Sequence, residues 1–222
     1  MHAIVLPQPG PEPDVLQYRE IPDPVPGPED LLVRVRATAL NRADLMQRRG
    51  LYPPPPGASP ILGLEAAGRV IEVGAAARVA GFSVGQRVMA LLSGGGYAAE
   101  VVVPHGQAMR VPERLSDEEA AAVPEVFLTA FLNLFLLGGL PSPGAAAGPG
   151  GEGKSALVHG GASGVGTAAL QLLREAGVRA LCTVGSDDRA ARCRELGAAA
   201  AWNYRAGDFA PFVLQETGGR GV

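Results

Sequence analysis

Residues 148–166 read GPGGEGKSALVHGGASGVG, and two glycine-rich signatures lie almost end to end within them. Residues 148–155 spell the P-loop pattern G-x-x-x-x-G-K-S, and residues 164–169, GVGTAA, spell the dinucleotide pattern G-x-G-x-x-A. A working P-loop needs a strand running into its glycines and a helix leaving its Lys-Ser. Here the glycines follow the low-complexity run PSPGAAA, the Lys-Ser runs into the apolar stretch ALVH, and Pro149 removes one backbone donor. In a chain with 31 glycines the first signature reads as a chance match in a flexible surface loop.

The second signature has the neighbours it needs. SALVH reads as a short buried strand and GVGTAALQLLREAG as an amphipathic helix closed by Gly177. RALCTVG, DDRAARCRELG with its closing Gly197, and AAAWNY repeat the rhythm of strand, helix and strand, and GDFAPFVLQETGG adds a third helix. That alternation predicts a parallel, doubly wound α/β sheet with the glycine turn at its first strand–helix junction. Gly161, Ala162 and Ser163 followed by Gly164, Val165 and Gly166 then form a pyrophosphate loop. In it Gly164 is expected to permit the tight turn, Gly166 to let the phosphates approach, and Ala169 to let helix pack on strand.

The end of the second strand distinguishes the cofactors. An acidic residue there would bond a free ribose hydroxyl, whereas TVGSDDR offers Gly185, Ser186 and, one turn into the helix, Arg189. This favours NADPH. Asp187 and Asp188 act against a 2′-phosphate, unless they serve only the helix N-terminus.

The first hundred residues follow a different rhythm. Residues 31–40, 68–74, 86–92 and 98–104 alternate apolar and polar side chains at period two, separated by glycine and proline. They predict a small barrel or sandwich. Near residue 117 the pattern changes, with Ser116 and Glu119 spelling a capping box. We place the domains at residues 1–123 and 124–222.

A net charge of −3 gives no electrostatic footprint for nucleic acid or an acidic membrane. The apolar run at residues 126–137 falls short of a membrane span, and the N-terminus shows no signal peptide. Two cysteines, Cys182 and Cys193, are too few for a disulfide framework and read as buried hydrophobes in a reducing compartment. A cytoplasmic location is expected.

Four stretches together resemble the medium-chain dehydrogenase/reductase superfamily, and within it the zinc-free quinone oxidoreductases, the p53-inducible type above all. They are ALNRADLMQRRGLYPPPPGASPILGLEAAG (residues 39–68), AAAVPEVFLTAF (120–131), VHGGASGVGTAALQL (158–172) and NYRAGDF (203–209). The resemblance implies a GroES-like β-barrel domain followed by a Rossmann domain, with NADPH in the cleft between them. It also implies hydride transfer to a quinone or other small electrophile, usually by a homodimer. Zinc-dependent relatives carry a Cys in the segment matching residues 40–44 and a Gly-His-Glu where this chain has Gly63-Leu64-Glu65. Neither metal-ligand type stands there, so no metal is expected.

By the same resemblance Asn41, Asp44 and Tyr52 line the catalytic side. Asn41 positions the nicotinamide ribose or a substrate oxygen, and Tyr52 orients a quinone ring. Asn41 and Asp44 read equally as N-cap and acidic N3 of the helix RADLMQRR, and Tyr52 as packing on the prolines that follow. Thr129 matches a position near the nicotinamide, or is an ordinary helical threonine. Tyr204 flanks the adenosine phosphate beside Ser186 and Arg189, or merely packs at a strand end.

Two departures accompany the likeness. Residues 144–153 read as an insertion before the first Rossmann strand, tolerated because lengthening a surface loop adds little closure entropy. The sequence ends at Val222, where relatives begin a fourth strand, so a truncated, impaired reductase is expected. Rival readings are a zinc-free enoyl or alkenal reductase, and a non-catalytic product that binds nucleotide or a full-length partner.

Overall fold

The computed structural model describes residues 1–144 and 153–222, in two compact units, Met1–Glu125 and Val126–Val222. The P-loop lookalike over its residues 148–152, and the insertion between residues 145 and 152, lie outside the described residues.

The first unit is mostly antiparallel sheet. Strands β1 (His2–Val5) and β2 (Gln17–Glu20) pair as a ribbon, which a single bridge from Ala3 to Ala98 ties to the rest. The main sheet comprises β3 (Asp30–Ala37), β4 (Glu65–Val73), β5 (Arg87–Leu91), β6 (Glu100–Pro104) and β7 (Ala108–Arg110) in the order β6-β3-β4-β5-β7. Register shifts at Leu32/Val33 and Val35/Ala37 bend β3 against β4, as bulges do. Alternation separates the faces: Leu31, Val33, Val70 and Val88 enter one core, whereas Ala67 and Met89 face helix α3 (Asp117–Ala121). The capping box of α3 is present, with Ser116 Oγ accepting from Glu119 N at 3.1 Å and Glu119 Oε2 from Ser116 N at 2.9 Å. Two short helices, α1 (Arg42–Arg48) and α2 (Ala75–Val79), interrupt the strands. Helix α4 (Pro124–Phe131) begins in the first unit and continues in the second, where it widens into a π-helical turn over Leu132–Leu137.

The second unit is a parallel sheet of β8 (Ser155–His159), β9 (Arg179–Val184) and β10 (Ala200–Asn203), in the order β10-β9-β8. Helices α5 (Gly164–Glu175) and α6 (Asp187–Glu195) link the strands, and α7 (Ala210–Glu216) follows. Ala180, Cys182 and Val184 of β9 share a core with Leu170, Leu173, Ala190 and Cys193 of α5 and α6. Leu181, between them in sequence, faces the other way, onto Val213 of α7. Helices on both faces of a parallel sheet make this half of a doubly wound fold, and the chain as a whole is α/β, with an antiparallel first unit.

Candidate active site

The glycine turn joins β8 to α5. Gly160 turns the chain with φ +67°, and Ser163 caps the helix by accepting from Gly166 N through Oγ at 3.1 Å. The N–H groups of Gly164 and Val165 find no partner among the described residues, and both residues are exposed. Two bare donors at the positive end of a twelve-residue helix form a cradle for an anionic group.

The structure reassigns the glycines within this cradle. The left-handed residue is Gly160, not Gly164. A side chain at Gly166 would fall on the Gly160 carbonyl and lie 2.8 Å from Gly161 Cα, so this glycine lets the helix start close on the turn. At Gly164 the nearest atom is Val126 Cγ1, 3.0 Å from where a Cβ would stand, so helix α4 presses there. Gly161 lies over the buried pair Cys182 and Cys193: its Cβ would meet Cys182 Sγ at 2.8 Å. Both thiols are pushed up by burial, Cys182 to about 12, which keeps them unreactive. Ala169 packs with Ala168 and Ala130 where α5 meets α4, and Thr129 sits half-buried on α4 beside that contact.

At the far end of β9, Ser186 caps α6 by accepting from Arg189 N at 3.5 Å. Tyr204 leans over Gly185, whose Cβ would lie 2.7 Å from the Tyr204 hydroxyl. Asp187 is bonded by Asn203 Nδ2 at 3.1 Å. Arg189 is exposed and has no ion pair among the described residues. Ser186, Arg189 and Tyr204 are therefore brought together at one strand end.

The first unit gathers a cluster around Asn41. Asp44 Oδ2 accepts the Asn41 backbone N–H at 2.7 Å, and Asp44 Oδ1 accepts Gly63 N–H at 3.2 Å. Gly63, at φ +100°, has Tyr97 N and Gly96 Cα within 2.7 Å of any added Cβ, so only glycine fits. Glu65, 1% exposed, accepts Asn41 Nδ2 at 2.7 Å through one oxygen and Glu125 N–H at 2.9 Å through the other. Burial raises the Glu65 carboxyl above the usual glutamate range against the lowering effect of these two bonds. Burial likewise raises Glu125, with the charges of Glu65 and Asp44 adding to it. The Tyr97 hydroxyl is raised by burial and by Asp44 and Glu65. Tyr52 stands apart: it is half-exposed in the turn after α1, with no hydrogen bond from its hydroxyl among the described residues.

Residues 27–113 match the family model of the alcohol dehydrogenase GroES-like domain. The solved structure of an NAD-dependent alcohol dehydrogenase is 32% identical and superposes with a TM-score of 0.83 over 100% of this chain and 69% of its own. The chain belongs to the medium-chain dehydrogenase/reductase superfamily. Within that superfamily, Escherichia coli quinone oxidoreductase complexed with NADPH is similar at 30% identity and a TM-score of 0.83, covering 99% of this chain and 64% of that one. The synaptic vesicle membrane protein VAT-1 homolog of Mus musculus is 44% identical over 159 residues, 72% of this chain and 36% of that protein. The chain thus spans less than two thirds of the length of both.

As a member of the superfamily the chain is notable for its donor set. Leu64, buried between Gly63 and Glu65, offers no ligand atom, and among the described residues no three His, Cys, Asp or Glu side chains gather to hold a metal. No described helix is long and apolar enough to cross a membrane. Glu65, Glu125 and Tyr97 escape a sequence reading of the site. Glu65 is recognisable only as part of the Gly63-Leu64-Glu65 triplet, and Glu125 contributes through its backbone N–H.

Proposed function

We propose that this chain carries a zinc-independent, NADPH-dependent reduction of a quinone or a similar small electrophile. The observation that carries the reading is a pair of anion-seeking features one strand apart. They are the N–H groups of Gly164 and Val165 at the start of α5, and the side chain of Arg189 beside Ser186 at the end of β9, which have no partner among the described residues. Such a pair suits a pyrophosphate and a 2′-phosphate.

The residues divide the work by unit. The turn of Gly161, Ala162, Ser163, Gly164, Val165 and Gly166 would hold the pyrophosphate through backbone donors and the α5 dipole. Ser186, Arg189 and Tyr204 would hold the 2′-phosphate and adenosine, and Thr129 the nicotinamide end. When bound, NADPH supplies a hydride. In the first unit Asn41 would face the acceptor oxygen, with Asp44 holding the Asn41 backbone and Tyr52 orienting a ring. A quinone oxygen that gains charge becomes a stabilised phenolate and takes its proton from water, so no Lewis acid is needed. The protein's share is to hold two reactants in register and to present a hydrogen-bond donor to the oxygen. We extend the reading to a cytoplasmic homodimer of the p53-inducible quinone oxidoreductase type, without nucleic-acid or membrane partners.

The test is oxidation of NADPH by the protein with 1,4-benzoquinone, beside NADH and beside a simple enone. Quinone turnover that prefers NADPH is the expected result. Faster turnover of the enone would move the assignment to an enoyl or alkenal reductase, and failure to bind NADPH would overturn it.

A further inference from the structure

Asn41 is held at two atoms by two buried carboxylates. Asp44 takes its backbone N–H and Glu65 takes its side-chain Nδ2, each at 2.7 Å. A primary amide has a donating and an accepting end of nearly the same shape, so its orientation is set by its partners. An ionised carboxylate only accepts, which forces Nδ2 towards Glu65. Glu65 has no room to turn. Its second oxygen takes the Glu125 N–H at 2.9 Å, its backbone carbonyl takes Thr38 Oγ1 at 2.6 Å, and β4 pairs it with Leu91. The groups facing it are Asn41 and Asp44 at α1, Glu125 at α4 and Tyr97 ahead of β6. Asn41 is half-exposed, and only one of its two Nδ2 protons is committed.

We infer that Glu65 is a positioning residue that locks the Asn41 carboxamide so that an N–H, rather than a carbonyl, is offered to the oxygen of the electrophile. The inference rests on the quinone-reductase reading and names the orientation that reading requires. A quinone oxygen carries only lone pairs and gains negative charge as hydride arrives, so a donor stabilises it and an amide carbonyl repels it. Glu65 never touches the substrate. It acts through Asn41.

The experiment is a double-mutant cycle. Glu65→Gln faces two N–H donors with one acceptor, so the Asn41 amide loses its carboxylate lock and only the capping contact with the Asp44 N–H opposes its flip. Turnover of 1,4-benzoquinone with NADPH is expected to fall about 100-fold, the weaker end for loss of one oxyanion donor. NADPH affinity should stay unchanged, because Asn41 is assigned to the acceptor oxygen; a parallel loss of NADPH affinity in Glu65→Gln and Asn41→Ala would place Asn41 on the nicotinamide ribose and overturn the inference. Asn41→Ala should cause a similar loss, and adding Glu65→Gln to it should cost nothing more. An equal further loss in the Asn41→Ala background overturns the inference, since a merely structural Glu65 behaves that way.

A second readout needs no turnover. The Asn41 side-chain amide signal in NMR, assigned by its loss in Asn41→Ala, should show one downfield, slowly exchanging proton that Glu65→Gln abolishes. An unchanged signal overturns the inference. If the wild-type protein reduces no quinone, the functional reading fails by itself and this signal still decides on Glu65. Should Glu65→Gln fail to fold, pairing it with Asn41→Asp restores a donor facing an acceptor. That double variant should fold yet remain as slow as Asn41→Ala, and recovery of turnover overturns the proposal.

Discussion

The glycine turn of the second unit and the carboxylate cluster of the first both present hydrogen-bond donors, by opposite physics. The turn does so with backbone alone. Its conformation is set between Gly160 and Gly166, by one left-handed glycine and one serine cap, and no ionised side chain takes part. The cluster does so with side chains. It draws together Asn41, Glu65 and Glu125, separated by 24 and 60 residues, and buries ionisable carboxyls to hold one amide. A backbone cradle is vulnerable to a methyl group. An amide held by carboxylates is vulnerable to the loss of a partner.

The largest effect expected is therefore the smallest chemical change. Gly166→Ala puts a Cβ onto the Gly160 carbonyl, where the nearest atoms are backbone and cannot rotate aside. It should cost about 1–3 kcal/mol of stability, as overpacking does. The bare N–H groups move with the helix start, so NADPH affinity should fall on the order of 100-fold, equivalent to about 2.7 kcal/mol. Gly106→Ala is the control, because nothing lies within 4 Å of its Cβ position. Thermal unfolding and NADPH fluorescence titration read both variants. Undiminished NADPH binding by Gly166→Ala would remove the turn from the cofactor site.

Next in size is Arg189→Ala. A hydrogen bond to a charged group contributes about 1.5–3 kcal/mol, so NADPH should bind roughly 10- to 100-fold more weakly. NADH, which lacks the phosphate, should bind as before. Equal losses for the two cofactors would show that Arg189 does not read the 2′-phosphate.

The cluster is read by pH instead. Burial raises the carboxyl of Glu65 above its ordinary 4.5. As pH rises past that ordinary value, the unfolded chain loses its proton before the folded one does. The folded state then binds more protons, and stability falls with rising pH until the folded group ionises too. The contribution of Glu65 is thus greatest in acid and is lost as pH rises through its raised folded pKa. Glu65→Gln abolishes that slope, so the stability gap between wild type and variant should change with pH across this window. Denaturant unfolding at several pH values measures it. A gap that stays constant would mean that Glu65 titrates as it does in the unfolded chain.

The same contrast explains what the sequence discloses. The strand–helix rhythm, the closing glycines and the capping box at Ser116 are local, and the structure has them: Gly177 and Gly197 turn left-handed at +68° and +118°. The ribbon β1–β2 is less visible, since QYRE carries little apolar alternation and pairs through only four residues. The turn is legible because seven consecutive residues build it. The division of labour among its glycines is not, because the clash at Gly166 involves the fold of Gly160 back onto the helix start. At α1 the local reading is borne out, since Asn41 and Asp44 form the capping box. What it misses is that the Asn41 Nδ2 also reaches Glu65, a partner that only the pairing of β3 with β4 brings near.

The smallest effects test the contrast most directly, because one chemical change is made in each unit. Ser163 and Ser116 both cap a helix through Oγ, to Gly166 N and to Glu119 N, each at 3.1 Å. Replacing either by alanine should cost about 1 kcal/mol, the usual value of a cap. Their functional consequences should part. Ser163→Ala loosens the helix start that carries the bare N–H groups of Gly164 and Val165, so NADPH affinity should fall a few-fold along with stability. Ser116→Ala loosens α3 on the sheet face that carries Ala67 and Met89, and NADPH affinity should not move. If the two variants lowered stability and NADPH affinity alike, the cofactor site would depend on global stability, and the turn would lose its claim to be a separate, backbone-built cradle.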